Sequence, residues 1–259
     1  MLPLVVACAF FGLLIGSFLN VVIWRVPRGE SLISPPSHCP FCDNAVRPRD
    51  NVPVLSWLVL RGRCRDCRAP ISPRYPLVEA GTALVFAVLA ARIGLDPELP
   101  AYLYFGAIGV ALALIDLDVK RLPNVIVLPS YVVALVLLVA AAVVNHDLAD
   151  LARAVPGMVA LFGLFFLLAM VYPAGMGFGD VKLAGLLGLY LGWLGWGEVV
   201  IGGFLGFLFG GLVGMALMVT RRAGRKSQIP FGPFMLAGAL VAILWGGALA
   251  DLYLDRTLG

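Results

Sequence analysis

Long apolar stretches follow one another along almost the whole chain, and only one polar segment, residues 25–76, interrupts them at length. A helix needs about 17–25 apolar residues to cross the hydrocarbon of a bilayer. Runs of that order cover residues 2–24, 77–93, 102–115, 125–144, 155–172, 181–196, 199–220 and 234–250, with the third and sixth the shortest. Composition closes off a water-soluble fold with an enlarged core. The chain is 61% hydrophobic and 13% charged, whereas soluble domains carry about 25% charged residues. The expected fold is an all-α polytopic membrane protein of about eight transmembrane helices.

No basic residue precedes the first run and no small-residue cleavage site follows it, so it reads as a retained helix. Its second half, Gly16-Ser17-Phe18-Leu19-Asn20, is unusually polar. Small residues and an Asn are common at helix–helix contacts in membranes, and a binding role is the equal alternative. Cys8, inside the run, reads as a small packing residue.

The polar segment holds nine arginines, many prolines and two C-x-x-C pairs, Cys39-Pro40-Phe41-Cys42 and Cys64-Arg65-Asp66-Cys67. Four thiolates in two such knuckles complete a tetrahedral Zn site with no open position, so the metal is structural. The run between them, residues 43–63, is 21 long, slightly outside the usual window for paired knuckles. A redox pair is the weaker alternative, because reduced cytoplasmic thiols suit metal binding. His38, adjacent to Cys39, is either a bystander, the stronger reading, or a substitute ligand.

Basic residues orient the bundle. The links at 25–76, 116–124, 173–182 and 221–230 fall on one side and carry 16 of the 19 Lys and Arg; Arg92, Arg153 and Arg256 are on the other. With the long first segment discounted, the count is still seven against three. The positive-inside rule therefore places that first side in the cytoplasm and both termini outside.

Two carboxylates stand at that same face. Asp116 closes the third run, and Asp180 follows Gly177-Phe178-Gly179 at the mouth of the sixth. Charges at the edge of hydrocarbon are costly and functional by default. A pair of carboxylates at close range shares a proton, so one serves as base and the other as acid. Asp180 alone could be a helix cap, but Asp116 sits where the helix dipole disfavours an anion. Asp118 rivals Asp116, and spacing does not separate them. The glycines at 175, 177 and 179 leave room for an extended substrate backbone to approach. A transporter with a proton relay would string its acids across the membrane depth, whereas Glu79, Asp116, Asp118 and Asp180 gather near one face.

Taken together, these motifs resemble the bacterial prepilin peptidases, membrane aspartic proteases of the GxGD type. The resemblance runs through Gly16-Ser17-Phe18-Leu19-Asn20-Val21-Val22 with Arg25 and Pro27, both cysteine knuckles and Arg74-Tyr75-Pro76-Leu77-Val78-Glu79. It continues in Ile115-Asp116-Leu117-Asp118, Leu122-Pro123-Asn124 and Gly177-Phe178-Gly179-Asp180-Val181-Lys182. It implies Asp116 and Asp180 as the catalytic pair, and Cys39, Cys42, Cys64 and Cys67 as ligands of a structural Zn2+. It also implies cleavage of the basic leader from type IV prepilins or type II secretion pseudopilins. Members with this cysteine loop commonly N-methylate the new N-terminus with S-adenosylmethionine. Asn20, Arg25 and Glu79, polar groups beside the loop, are the candidate methyl-donor residues. The implied organisation is a first transmembrane helix (1–24), a cytoplasmic zinc-binding loop domain (25–76) and a multi-helix peptidase core (77–259). The implied location is the bacterial inner membrane, with the lipid bilayer and a prepilin as partners and no nucleic acid.

Overall fold

The fold is described from a computed structural model, which covers residues 1–173, 175–220 and 229–258, apart from the side chains at 253, 254 and 256–258. The basic link at 221–228 and the side chain of Arg256, both used in the charge count, lie outside the described residues. The apolar stretches become helices: α1 (Leu2–Arg25), α3 (Arg74–Ile93), α4 (Leu99–Val119), α5 (Asn124–Asn145), α6 (Ala149–Val171), α7 (Phe178–Leu194), α8 (Trp196–Val219) and α9 (Gly232–Leu258). A five-residue helix, α2 (Leu55–Val59), and two 3-10 turns are the regular structure between α1 and α3. Among the described residues no strand forms.

Seven of these helices are long and apolar enough to cross a membrane; α7, at 17 residues, is the short one. The chain is a multi-pass membrane protein. α7 differs in environment as well as length. Every residue from Leu183 to Trp193 is buried, and α5, α6, α8 and α9 all pack against it. α5 and α6, by contrast, present Val132, Val136, Val159 and Leu167 outward. Lipid tails are as apolar as leucine, so burial of apolar surface does not drive helix pairing in a bilayer. Close backbone approach and van der Waals contact do.

The chain divides into two compact units, one of residues 1–99 with 103–111, the other of 100–102 with 112–258; each is described alone. In the first, α1 packs on α3 through Gly12 and Gly16. A Cβ on either would stand 2.7 Å from the Cα of Ala83 or Glu79. In the second, α6 meets α7 and α8 meets α9 in the same manner. A Cβ on Gly188 would lie 2.3 Å from the Gly157 carbonyl oxygen, and one on Gly238 would lie 2.6 Å from the Gly206 nitrogen. Glycine therefore sets the three main helix pairs.

Several helices begin earlier than their apolar runs. α6 starts at Ala149 rather than near residue 155, because Ala149-Asp150-Leu151-Ala152-Arg153 carries two charges but is made mostly of the helix-favouring Ala, Leu and Arg. α4 extends beyond its run at both ends.

Candidate active site and metal centre

Asp116 lies in the last turn of α4 and is buried, 5% exposed. Its Oδ2 accepts the backbone N–H of Gly232 at 3.0 Å. Gly232 is the first residue of α9, so this N–H is one of the donors that a helix N-terminus leaves free, at the positive end of the α9 dipole. The carboxylate that the end of α4 disfavours is thus compensated by the start of α9. Asp118 is exposed.

Asp180 sits inside the first turn of α7, not before it as the sequence pattern implied. Gly177 is the capping residue, in extended backbone, and Asp180 is the third helical residue. Its Oδ2 accepts the Gly177 N–H at 3.1 Å. Each aspartate therefore has one oxygen held by a backbone donor.

The segments carrying the two acids are tied together within the second unit. Leu122 is the centre of that tie. A Cβ on Gly179 would meet the Leu122 Cβ at 3.2 Å, and one on Gly232 would meet its Cδ2 at 3.3 Å and the Asp116 Oδ2 at 2.8 Å. Lys182, two residues past Asp180, donates from Nζ to Asn124 Oδ1 at 2.9 Å and lies 4.8 Å from the centre of the Phe178 ring. Gly177 is exposed, whereas Gly179 lacks a Cβ where Leu122 comes close. Gly232, in Pro230-Phe231-Gly232-Pro233, had not been singled out from the sequence; the proline-flanked glycine ahead of the last apolar run was the only signal.

The first unit holds the cysteines. Both knuckles fold alike. The Cys39 and Cys64 carbonyls accept the N–H of Asp43 and Arg68, four residues on, and both of these adopt left-handed backbone, φ 57° and 62°. Isolated bridges pair His38 with Ala45 and Arg63 with Pro70. The four sulfurs lie within 4.8 Å of one another, and Cys39 Sγ is 3.7 Å from Cys67 Sγ. Sulfurs around a tetrahedral zinc at 2.3 Å stand about 3.8 Å apart, so the cluster fits a metal ion. Backbone N–H groups of Phe41 and Cys42 pull the Cys39 thiol down to about 7, while desolvation and the neighbouring thiols push Cys42 up to about 12. The His38 ring is hydrogen-bonded to the Pro36 carbonyl at 3.1 Å.

Asn20, Arg25 and Glu79 all bond backbone groups. Asn20 Nδ2 donates to the Tyr75 carbonyl (3.2 Å), and Arg25 donates to the Ser31 (2.7 Å) and Pro35 (2.6 Å) carbonyls. Glu79, buried, accepts the Val54 N–H at 2.7 Å and the Ser17 hydroxyl. Arg25 and Glu79 thus anchor loop backbone to the ends of α1 and α3, while Asn20 ties α1 to the first turn of α3.

Comparison with known proteins places both parts of the chain in one family. The family described as Bacterial Peptidase A24 N-terminal domain matches residues 10–93, and the Type IV leader peptidase family matches residues 102–219. A prepilin leader peptidase/N-methyltransferase of Pseudomonas aeruginosa is 35% identical, over 98% of this chain and 94% of its own length. The protein of that name from Bacillus subtilis is 32% identical over 96% and 97%. A type 4 prepilin-like proteins leader peptide-processing enzyme of Escherichia coli is 36% identical over 90% of each. No solved structure matches the chain.

Proposed function

The chain belongs to the type IV leader peptidase family, and from that premise we propose that it cuts the basic leader from type IV prepilins or pseudopilins and N-methylates the new N-terminus. The observation that carries the peptidase half is the buried Asp116, whose one oxygen is fixed by Gly232, in a segment latched to that of Asp180. In the reaction, one carboxylate of Asp116 and Asp180 takes a proton from a water that attacks the scissile carbonyl carbon. The other, protonated, donates to the carbonyl oxygen. Collapse of the tetrahedral adduct breaks the C–N bond and passes a proton to the leaving amine. Asp118, exposed, has no part in this. Gly177 is the point of close backbone approach.

Cys39, Cys42, Cys64 and Cys67 hold a structural Zn2+ that stabilises the loop. S-adenosylmethionine supplies an electrophilic methyl group to the freed amine. Arg25 and Glu79 serve this half of the reaction by fixing the loop to the helix ends, and Asn20 by tying α1 to the start of α3. Residues 25–76 and both aspartates face the cytoplasm of the bacterial inner membrane, with the termini outside; the Lys and Arg distribution supports that orientation. A prepilin, anchored by its own apolar helix with its leader in the cytoplasm, then presents its scissile bond at the level of the aspartates.

The test is incubation of the purified protein with a type IV prepilin in liposomes, followed by mass spectrometry. The expected product lacks the leader and, when S-adenosylmethionine is added, gains the mass of one methylene. An uncut prepilin would refute the first activity, and a cut but unmodified product the second.

A further inference from the structure

α2 is pinned to the membrane-spanning part of the chain. Val54, the residue before it, donates its N–H to Glu79, five residues beyond the start of α3 and so about 7 Å along its axis. Val54 has φ 60°, rare for a β-branched residue, and the buried Glu79 carboxylate holds it there. Glu79 is also bonded to Ser17, well inside α1. The start of α2 is therefore fixed at the level of the helix ends, not out in solvent.

From that anchor α2 turns two faces. Trp57 points into the loop domain, its indole N–H on the Ile71 carbonyl at 3.1 Å and its ring against Gly62. Leu55, Leu58 and Val59, at i, i+3 and i+4 and hence on one face, are 60%, 57% and 76% exposed. Arg61 and Arg63 follow at once, both exposed and outside the ion pairs Arg47–Asp66 and Arg65–Asp50 found among the described residues. Trp24 at the end of α1 is also exposed, with the Arg28 guanidinium 3.5 Å above its ring, a pairing suited to the headgroup layer. Over residues 25–76, nine arginines face four acidic residues.

We propose that α2 and the two arginines behind it form a lipid-docking face. Leu55, Leu58 and Val59 enter the boundary between headgroups and acyl chains, and Arg61 and Arg63 bind the phosphates of anionic lipid, as interfacial amphipathic helices do. The net positive charge of the segment favours anionic lipid over a basic leader as the occupant. The inference rests on α1 and α3 crossing the bilayer and is independent of the peptidase reading.

The full-length protein carrying a photoreactive benzoylphenylalanine at position 58 is irradiated in nanodiscs of phosphatidylcholine, with and without phosphatidylglycerol. Retained zinc reports on loop folding, and prepilin cleavage by the same preparation reports separately on the peptidase reading. The expected result is a lipid adduct that grows with phosphatidylglycerol. Its yield falls about fivefold for each of Arg61→Gln and Arg63→Gln. A zinc-loaded protein giving no lipid adduct would overturn the proposal. So would an adduct indifferent to phosphatidylglycerol and to both arginines, or one formed with added prepilin in place of lipid.

Discussion

Gly232→Ala is the sharpest test of how Asp116 is held. The glycine backbone is not in the left-handed region, so alanine is conformationally tolerated, and the added methyl acts through contact alone. Built on the existing backbone, its Cβ stands 2.8 Å from Asp116 Oδ2, 3.4 Å from Cγ and 3.3 Å from Leu122 Cδ2. To reach ordinary contact the carboxylate or the start of α9 must retreat by about 0.6 Å, and misplacement of a catalytic group by about 1 Å costs on the order of a hundredfold. The same retreat weakens the 3.0 Å bond from the Gly232 N–H, a charge-assisted bond of about 1.5–3 kcal/mol. Prepilin cleavage measured in liposomes should therefore fall about 10- to 100-fold in kcat, with KM little changed and stability lowered by no more than the weakened bond is worth. Gly238→Ala, which drives a Cβ against the Gly206 backbone, should instead lower stability first. A Gly232→Ala enzyme with wild-type kcat would refute this account of Asp116.

Three further predictions follow from individual contacts. Lys182→Met and Asn124→Ala should each slow cleavage several-fold, and the double variant should be no worse than the poorer single one, because both remove the same 2.9 Å bond; additive losses would contradict a shared latch. Chelation of the metal, or Cys64→Ser, should release zinc and open residues 25–76 to trypsin at their arginines, whereas a loop that resists trypsin without zinc would show that the metal is not structural. The Arg65 guanidinium, by hydrogen bond and then by charge, holds the Asp50 carboxyl below its ordinary value; the pair's stabilisation is complete above the ordinary aspartate range and is lost as pH falls through the lowered value. Arg65→Gln should accordingly shift the acid-induced trypsin sensitivity of the loop to higher pH, and an unmoved transition would exclude the pair as its cause.

The membrane class and most helices were legible in the sequence because a bilayer imposes a fixed apolar length. Helix ends are less so: Ala149 to Arg153 is helical although Asp150 and Arg153 carry charges, and charge is the boundary signal. The sequence places Asp180 ahead of its helix because Gly177-Phe178-Gly179 looks like a loop, yet Gly177 alone takes the extended cap and the chain turns helical at Phe178. The cysteine cluster was visible despite its long interval, which accommodates α2 and the anchored Val54. Gly232 was not visible, since its bond to Asp116 joins positions 116 residues apart. For Asn20, Arg25 and Glu79 the residue types marked polar groups at helix ends, but their partners are backbone atoms, of an irregular loop for Arg25 and Glu79 and of the first turn of α3 for Asn20, which no side-chain pattern encodes.

The most direct measurement is prepilin cleavage by the wild-type protein and by Asp116→Ala, Asp118→Ala and Asp180→Ala, each reconstituted in liposomes with zinc content matched. Acid–base catalysis by Asp116 and Asp180 predicts losses of about 10²–10⁴-fold or more for those two variants and near wild-type cleavage for Asp118→Ala. Cleavage that survives both Asp116→Ala and Asp180→Ala, or that is lost in Asp118→Ala, would contradict it.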